Sequence, residues 1–435
     1  MRPDPVRGGR GAFSAASLGP QPAAMVERMR ILHVIANLAA ETGGPAKACL
    51  DMARAMARRG HDVAIYATDF GRPTEARVAA GDVAIHYFAE HWPRRFYASM
   101  PLARALDGEA GTFEVMHLHA LYLFHDWAGA RAARRHDIPY ILQPHGALDP
   151  YIYQRHRLRK TLVDRLFQDR VSGGAAALLY TTEDERLLAR AAIESWPTYA
   201  QRVPGAVVPL GIDLADYALL PPRGQFRKLH ASIGARPILL FLGRLHEKKG
   251  LDLIARAFGQ CTRQGLDAIL VVAGPDGGER PKLERRLAAE GVAGRTIFTG
   301  MVEGEDKLAL LADADLFLLP SRSENFGLAV IEAMAAGLPV VVSDKVNLWR
   351  EIDAAGAGRI VPAEDAGALV AAIIALLQNP TAMREMGERG RAAVARDFTW
   401  DRVGVALEAL YAEIAARRTI RDGWRYAPAA VGTAA

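Results

Sequence analysis

The sequence has few cysteines, no long apolar run and no glycine-rich dinucleotide motif. Its 435 residues include two cysteines, Cys49 and Cys261, whose spacing fits neither a metal site nor a redox pair. This usage is typical of a reducing compartment, where both thiols act as small buried apolar residues. No run reaches the ~18 apolar residues of a membrane span, so we expect no integral membrane segment. No strand is followed by Gly-x-Gly-x-x-Gly, which disfavours a dinucleotide-dependent dehydrogenase.

Length and composition indicate a globular chain with two domains. A chain of 435 residues is too long for one ordinary core. Hydrophobic residues make up 50% and charged residues 24%, a usual balance for a globular protein. The net charge of +5 weakly favours acidic partners such as phosphorylated ligands or an anionic lipid surface. We expect a cytoplasmic protein, with peripheral contact at the inner face of the cell membrane left open.

Changes in composition predict the domain boundaries. Residues 1–28 combine Gly, Pro, Ala and Arg without periodicity, which predicts a disordered leader and a start at Met25 or Met29. Strands and helices alternate over residues 29–220 and again over 221–397, a pattern that predicts two doubly wound parallel-sheet α/β domains. The prolines and glycine near residue 221 mark the linker.

The most informative stretch is a loop and short helix between two buried strands. Apolar runs at 314–319 and 340–343 are typical of strands buried on both faces of a parallel sheet. Open α/β sheets bind ligands where loops leave the carboxyl ends of such strands, and a helix start there offers free backbone N–H groups. Glu324 lies on this loop and Glu332 on the helix that begins near Leu328, so the two carboxylates can reach different parts of one ligand.

Two cations follow another strand end. The strand at 237–243 leads into a loop that carries Arg244 and Lys249. A departing diphosphate needs its charge neutralised, and two fixed cations at one sheet edge suit that task. Exposed loop cations are more often simply solvated, so this pair alone is moderate support.

The first domain contributes a glycine pair and a histidine. The strand at 29–35 is followed by Gly43 and Gly44, a helix and a second strand, which is a mononucleotide-type βαβ unit. A glycine pair lets the backbone approach a ligand closely, although a plain turn has the same composition. His145 ends a later strand and precedes a glycine, which favours a functional role; His117 and His119 match structural histidines better.

Two further motifs are assigned to structure. Asp313 and Asp315 resemble a metal-binding Asp-x-Asp, but they precede a strand, so we expect a helix-to-strand connection. Residues 274–278 are glycine-rich, and a plain turn is favoured over a phosphate loop. We therefore predict neither a metal nor a cofactor.

A basic segment has two interpretations of equal weight. Residues 151–170 carry many arginines, with Leu158, Leu162, Leu166 and Phe167 at helical spacing, and residues 92–97 mix aromatics with arginines. One interpretation is a core-packed helix with a solvated face. The other is contact with anionic lipid headgroups or a lipid-diphosphate acceptor. Nucleic acid is disfavoured because no recognised module accompanies the charge.

Together these segments resemble the family-4 retaining glycosyltransferases (glycosyl transferases group 1) of GT-B fold. The resemblance runs from about Met29 to the C-terminal helices. Its most specific element is the Glu-x7-Glu stretch from Glu324 to Glu332, followed by the Gly-Arg-x4-Lys-Gly segment at 243–250, in which Lys249 rather than Lys248 matches the family lysine.

The resemblance implies a fold and a set of site residues. Two Rossmann-like domains face a central cleft, residues 398–420 form a C-terminal helix that packs on the first domain, and residues 421–435 are a flexible tail. Arg244 and Lys249 bind the donor diphosphate, Glu324 contacts the hexose, Glu332 contacts the ribose, and His145 lies beside the reacting sugar. Further residues expected to bind the nucleotide sugar are Gly43, Gly44, Val302, Asn325, Phe326, Gly327 and Leu328.

The resemblance also implies an activity. A hexosyl group passes with retention from a UDP- or GDP-linked donor to a hydroxyl of a saccharide or lipid-linked acceptor, as in bacterial surface polysaccharide synthesis. Another GT-B enzyme, such as an epimerase or a phosphorylase, is one alternative. A non-catalytic nucleotide-sugar binder is the other.

Overall fold

The computed structural model describes residues 27–39, 43–69, 78–80, 82–91, 96–154, 157–197 and 199–426. The predicted disordered leader lies outside these residues apart from its last two positions. Most of the predicted aromatic and arginine-rich loop at 92–97 lies outside them as well.

The described strands form two sheets, one in each half of the chain. The first half contains β1 (Arg30–Ile35), β2 (Asp62–Thr68), β3 (Val78–Ala80), β4 (Val83–Phe88), β5 (Val115–His119), β6 (Tyr140–Gln143), β7 (Ala177–Tyr180) and β8 (Gly205–Val207). The second half contains β9 (Ile238–Leu242), β10 (Ile269–Ala273), β11 (Thr296–Gly300), β12 (Leu316–Leu319), β13 (Val340–Ser343) and β14 (Gly358–Val361), and β15 (Trp424–Arg425) follows near the C-terminus.

Helices connect the strands and cover both sheets. In the first half they are α1 (Gly44–Arg58), α2 (Met100–Glu109), α3 (Phe124–Arg135), α4 (Pro150–Tyr153), α5 (Arg157–Val163), α6 (Asp169–Gly173), α7 (Glu183–Ile193) and α8 (Ala215–Ala218). In the second half they are α9 (Gln225–Leu229), α10 (Leu251–Arg263), α11 (Arg280–Ala289), α12 (Gly304–Asp313), α13 (Leu328–Ala335), α14 (Trp349–Ala355), α15 (Ala366–Leu377), α16 (Pro380–Asp397) and α17 (Trp400–Ala415).

Each sheet is doubly wound, which confirms the predicted fold class. The first has the order β15-β8-β7-β6-β5-β1-β2-β4-β3, and the second has the order β11-β10-β9-β12-β13-β14. The pairs are parallel except for the antiparallel β3–β4 edge. The order reverses beside β1 in one sheet and beside β9 in the other, and such switch points are where ligands bind.

Continuous apolar sequence explains the central strands. Every residue of β9, β10, β12 and β13 is buried. Strands covered by helices on both faces need no polar alternation, so they appear as unbroken Val, Ile and Leu runs. Local sequence also explains the end of α13, because Gly337 follows the helix with a φ of +81°.

The last long helix crosses back to the first domain. Glu408 on α17 accepts a hydrogen bond from His61 (2.9 Å) and pairs with Arg59. Tyr411 on the same helix is fully buried and its hydroxyl lies 2.7 Å from Nδ1 of His117. The chain leaves the first domain near Ile212 and returns to it at residues 398–400, and we call this pair of segments the crossover. Hydrogen bonds from Ile212 N to Phe398 O and from Trp400 N to Ile212 O join the two segments.

Three predicted segments differ in the structure. The apolar composition of residues 207–213 predicts a strand, but β8 ends at Val207. The rest of the segment continues to Ile212, which forms a β-bridge with Thr399. The expected tail begins with an ordered strand, since β15 pairs with β8. Residues beyond 426 lie outside the described part of the chain.

The basic segment is the third difference. It is not one uniform α-helix. A π-helical stretch, Asp164–Gln168, separates α5 from α6. Leu162 and Leu166, which the core-packed interpretation would bury, are 60% and 65% exposed. A wider π-helical turn breaks the period of 3.6 residues on which that interpretation rested.

Within the described residues no single helix is long and apolar enough to cross a membrane. The pair Ala366–Leu377 and Pro380–Asp397 passes the test of length and composition only when its two helices, bent by 102°, are taken together.

Candidate functional site

Loops from the carboxyl ends of both sheets meet in a cleft between the domains. Arg244 follows β9, and Gly43, which precedes α1, approaches it from the opposite side. A Cβ placed on Gly43 would lie 2.5 Å from Nη2 of Arg244. Gly43 has a φ of +89° and a ψ of −146°, a conformation that L side chains rarely adopt. The glycine therefore allows the first domain to lie directly against a cation of the second.

Lys249 and Glu324 form an ion pair at the same edge. Lys249 ends the loop after β9, Glu324 lies on the loop after β12, and their side chains are 14% and 12% exposed. Burial acts to raise the pKa of Glu324, but the charges of Lys249 and Lys248 outweigh it and the pKa is lowered. Glu324 is therefore ionised at neutral pH and holds Lys249 in place.

Lys248 belongs to the same cluster, although sequence reasoning set it aside. Burial lowers its pKa, with the neighbouring cations Lys249 and Arg244 adding to the effect and Glu324 and Asp149 opposing it. Asp149 comes from the first domain, and its carboxylate accepts a hydrogen bond from Ser323 of the second. Burial raises the pKa of Asp149, an effect that Ser323 and Lys248 only partly offset.

A second contact across the cleft surrounds Gly146. The Gly146 N–H donates to Glu185 Oε1 at 2.8 Å, and Thr181 donates to Glu185 Oε2 through its N–H and its hydroxyl, each at 2.7 Å. With its amide nitrogen facing Glu185, Asn325 donates to both carboxylate oxygens at 2.9 and 3.2 Å. A Cβ on Gly146 would lie 2.9 Å from Cβ of Asn325. The loop of the second domain is thus seated on a buried carboxylate of the first.

The second glutamate of the loop–helix stretch has different partners. Glu332 on α13 is 9% exposed and accepts from Lys307 Nζ at 3.0 Å. The hydroxyl of Tyr217, from the linker, also hydrogen-bonds to Glu332, and the pKa of Tyr217 is raised by burial and by this carboxylate. Glu324 and Glu332 therefore occupy separate parts of the cleft wall, each with its own lysine.

The remaining predicted residues divide into two groups. Phe326 is buried with its ring 6.1 Å from that of Phe398 at the crossover, Gly327 adopts a φ of +82°, and Leu328 begins α13. These three residues set the shape of the loop that carries Glu324. Val302 is half-buried in the connection between β11 and α12, on the Lys307 side of the site.

His145 ends a cluster of buried imidazoles. His119 Nδ1 lies 2.9 Å from His145 Nε2, and His119 Nε2 lies 2.9 Å from His33 Nδ1. Burial lowers the pKa of His33 and of His145 to about 3. It also lowers the pKa of His117 and His119, to which their imidazole neighbours add, so these rings are neutral at pH 7.

The three strand histidines, 33, 117 and 119, are close enough to suggest a metal site, with one nitrogen of each within 4.8 Å of the others. However, the rings of His117 and His119 are stacked, with centroids 4.1 Å apart and an angle of 17° between planes. A ring nitrogen coordinates in its own plane at about 2.1 Å. Lone pairs in two nearly parallel planes do not converge on one ion, so the geometry fits a hydrogen-bonded cluster better than a metal centre.

The neutral histidines predict a stability that falls with acidity. Because their pKa values are lower in the folded chain than the 6.5 of a free imidazole, the unfolded chain binds more protons below pH 6.5. We expect the contribution of these histidines to the free energy of unfolding to be constant above that pH and to fall below it, by about 1.4 kcal/mol per pH unit for each proton. The raised pKa of the buried Asp126 acts in the opposite direction. Urea unfolding across this range measures it. His33→Gln is expected to flatten the slope by one proton, and an unchanged slope would contradict the assignment.

Several site residues carry no strong sequence signal. Lys248 looked redundant beside Lys249, and Asp149 and Glu185 look like ordinary helix-start residues. His119 was assigned a structural role, while Lys307 and Tyr217 lie in segments without a motif. Their common property is a partner that is distant in the sequence: Glu185 lies 39 residues from Gly146, and Lys307 lies 25 residues from Glu332.

Two family models match the chain, one for each domain. The model described as Glycosyl transferase 4-like domain matches residues 43–211, and the model described as Glycosyl transferases group 1 matches residues 223–393. Together they cover both sheets except β1 and β15, and all the site residues described above except His33, Tyr217 and Phe398.

Sequence relatives fall into two groups by coverage. The alpha-D-kanosaminyltransferase of Streptomyces kanamyceticus is 31% identical over 192 residues, which are 44% of this chain and 49% of that protein. The chain thus matches about half the length of this relative. The D-inositol 3-phosphate glycosyltransferase of Jonesia denitrificans is 26% identical over 416 residues, 88% of this chain and 94% of that protein.

Solved structures share the fold. The sucrose-phosphate synthase of Thermosynechococcus elongatus superposes with a TM-score of 0.74 at 21% identity, covering 90% of this chain and 100% of that one. Anabaena HepE, solved in complex with UDP-glucose, gives a TM-score of 0.68 at 18% identity and covers 88% and 99% of the two chains.

Proposed function

We propose that this chain, which belongs to the group 1 glycosyl transferases and has the GT-B fold, moves a hexosyl group with retention from a UDP- or GDP-linked donor to an acceptor hydroxyl. Glycosyltransferase activity is the general conclusion from the family. The donor, the stereochemistry and the acceptor class are the specific parts of the proposal.

The cation cluster supports a diphosphate donor. Arg244, Lys248 and Lys249 come from one loop of six residues, and Glu324 and Asp149 hold that loop from both domains. Three cations at one strand end suit the two charged groups of a diphosphate. This preorganised cluster is the observation that carries the proposal. Structural relatives solved with UDP or UDP-glucose agree with it.

The proposed reaction needs no residue other than those of the cleft. The bond from the anomeric carbon to the diphosphate oxygen breaks while the acceptor oxygen attacks from the same face. The acceptor proton passes to the departing phosphate oxygen. Arg244 and Lys249 stabilise the charge that develops on the diphosphate, and Glu324 fixes Lys249 and contacts the hexose. Glu332 is assigned to the ribose hydroxyls, with Val302 beside the base.

Closure of the cleft protects the donor from water. Asp149 with Ser323, Glu185 with Asn325, and Asp184 with Arg350 (2.8 Å) join the two domains around the site. With these contacts formed, His145 and Gly43 lie opposite the donor cations. Exclusion of water favours transfer to the acceptor over hydrolysis.

The test is a screen of nucleotide sugars. Purified protein is incubated with UDP- and GDP-hexoses, and slow hydrolysis and binding are measured together, which identifies base and sugar. The released or transferred sugar is analysed by NMR, and retention of the anomeric configuration is expected. Conversion of the donor to an epimer would support the epimerase alternative instead. Binding without any turnover would support the non-catalytic alternative, and inversion would remove the retaining mechanism.

The acceptor is proposed to be a lipid-linked or oligosaccharide intermediate of surface polysaccharide synthesis. The supporting observation is the surface next to the cleft that Leu162, Arg165 and Leu166 form, all of them exposed. Lys160, on the same helix, donates to the carbonyls of Ala147 and Ile152, in the segment that begins at His145. A membrane bound at this surface would thus deliver an acceptor next to the site.

We expect this surface to bind anionic vesicles. Leu162→Glu with Leu166→Glu should lower binding to vesicles of phosphatidylglycerol about 10-fold or more, because two apolar contacts are lost and two negative charges are added. Leu219→Glu is the matched control, since Leu219 is 90% exposed but lies in the linker. Co-sedimentation measures the effect. Equal binding of all variants would remove the membrane contact from the proposal without affecting the activity.

A further inference from the structure

A chain of three histidines runs from the cleft into the sheet. His145 Nε2 contacts His119 Nδ1, and His119 Nε2 contacts His33 Nδ1, each at 2.9 Å. His33 and His119 are fully buried on the adjacent strands β1 and β5. His145 is half-buried, with a left-handed φ of +50°. Non-glycine residues in that region are strained and often functional.

The chain of contacts couples the protons of all three rings. A neutral imidazole carries one N–H, so His119 donates to one neighbour and accepts from the other. If it donates to His145, then His145 carries its own proton on Nδ1 and His33 has a bare Nε2. If it donates to His33, the order is reversed: His145 Nδ1 is bare and His33 carries a proton on Nε2.

The innermost ring of the histidine series, His33, discriminates between these two states. His33 Nε2 is buried and has no hydrogen-bond partner among the described residues. A buried N–H without an acceptor is rarer than a buried acceptor without a donor. The first state, which leaves His33 Nε2 unprotonated, is therefore favoured.

A fourth histidine in the same cluster supports this choice. His125 Nε2 contacts the carbonyl oxygen of His119, which can only accept, so the proton of His125 is on Nε2. Its other nitrogen, Nδ1, is consequently unprotonated, and it too is buried without a partner. The cluster thus tolerates a bare buried ring nitrogen elsewhere.

We propose that His119, supported by His33, fixes the proton of His145 on Nδ1, so that the cleft faces a neutral hydrogen-bond donor rather than a base. His119 is a positioning residue, and His145 is the group that would contact substrate. This inference rests on the proposed function for the identity of the ligand oxygen, a sugar hydroxyl or the departing phosphate oxygen.

The backbone of His145 is held as firmly as its ring. Gly146 N–H donates to Glu185 at 2.8 Å, which fixes the turn that follows the histidine. The chain of rings also ends without an exit, since His33 Nε2 has no partner among the residues described. A proton taken up at the cleft cannot be passed on to solvent along it. The arrangement is suited to fixing a tautomer and unsuited to carrying protons.

The test compares two substitutions of His119. An asparagine amide lies near the position of Nδ1 and keeps a donor to His145, whereas a glutamine amide lies near Nε2 and keeps only the contact to His33. We expect His119→Gln to lower kcat about 10- to 100-fold with little change in KM for the donor, and His119→Asn to retain most of the activity. His61→Asn is the control, since His61 is also buried and hydrogen-bonded but lies beside α17.

Nitrogen-15 NMR of histidine-labelled protein gives a readout independent of activity. The signal of His145, assigned by its loss in His145→Gln, should show the proton on Nδ1 in wild type and in His119→Asn. It should show mixed tautomers in His119→Gln, while thermal unfolding records any general loss of stability. A proton on Nε2 in wild type would overturn the inference, as would equal kcat for both variants or one tightly bound zinc per chain. Absence of nucleotide-sugar turnover would instead contradict the proposed function. The inference about His145 would then be decided by the NMR measurement of its tautomer.

Discussion

Lys249→Ala is expected to lower kcat/KM for glycosyl transfer by roughly 10²–10³-fold, the loss typical of removing one preorganised group that stabilises developing charge. Lys249 is 14% exposed and is fixed by its ion pair with Glu324. A cation already in position needs no reorganisation when the diphosphate departs. Most of the effect should therefore appear in kcat rather than in KM.

Folding of this variant is expected to survive. Glu324 loses Lys249, but Lys248 also lowers its pKa, so the carboxylate keeps a cationic neighbour. Glu324→Gln provides the complementary variant, which keeps the side-chain volume and removes the charge that orients Lys249. The matched control is Lys282→Ala. Lys282 lies on α11, is 52% exposed and pairs with Glu279, the residue before that helix.

Initial rates for the donor identified by the screen, together with urea unfolding, separate activity from stability. Full activity of Lys249→Ala in a folded protein would show that the diphosphate is bound elsewhere. A loss in Lys282→Ala of similar size would show that the assay reports general damage.

Gly43→Ala is expected to lower kcat/KM by about 100-fold, because an error of about 1 Å in the position of a binding group has effects of that size. The new Cβ would lie 2.5 Å from Nη2 of Arg244, the end of a flexible side chain. The guanidinium can move aside, so the main damage falls on the placement of this cation. The φ of +89° adds backbone strain of about 1–3 kcal/mol.

Gly44 offers a control at the neighbouring position. A Cβ on Gly44 meets nothing within 4 Å, and the residue is the first of α1. Gly44→Ala should therefore retain near wild-type stability and leave Arg244 in place, so that its rate reports only the donor contact expected of Gly44 itself. Donor titration and steady-state kinetics on both variants check the prediction. Equal losses in both variants would assign the effect to the start of the helix. If both variants keep full activity, the contact with Arg244 is not the reason why residue 43 is a glycine.

The strand pattern and the site motifs were predictable because they are local. The runs at 238–242 and 316–319 are apolar without interruption, and burial on both faces of a parallel sheet requires that pattern. Gly337 could be assigned to the end of α13 because a left-handed residue there favours glycine. Only the core-packed interpretation of the basic segment failed, because its period was counted across a π-helical stretch that composition does not reveal.

The amino-acid sequence by itself determined two α/β domains and the chemical types at the cleft: glycines, cations, carboxylates and a histidine at strand ends. The tertiary structure alone decided which of them act together. Lys249 and Glu324 are 75 residues apart, and His33 and His119 are 86 residues apart. Hydrogen bonds and ion pairs depend on distance in space, and only the strand order brings these groups together. The tautomer proposed for His145 depends on His119 and His33, which lie on two neighbouring strands of the first sheet and not beside His145 in the sequence.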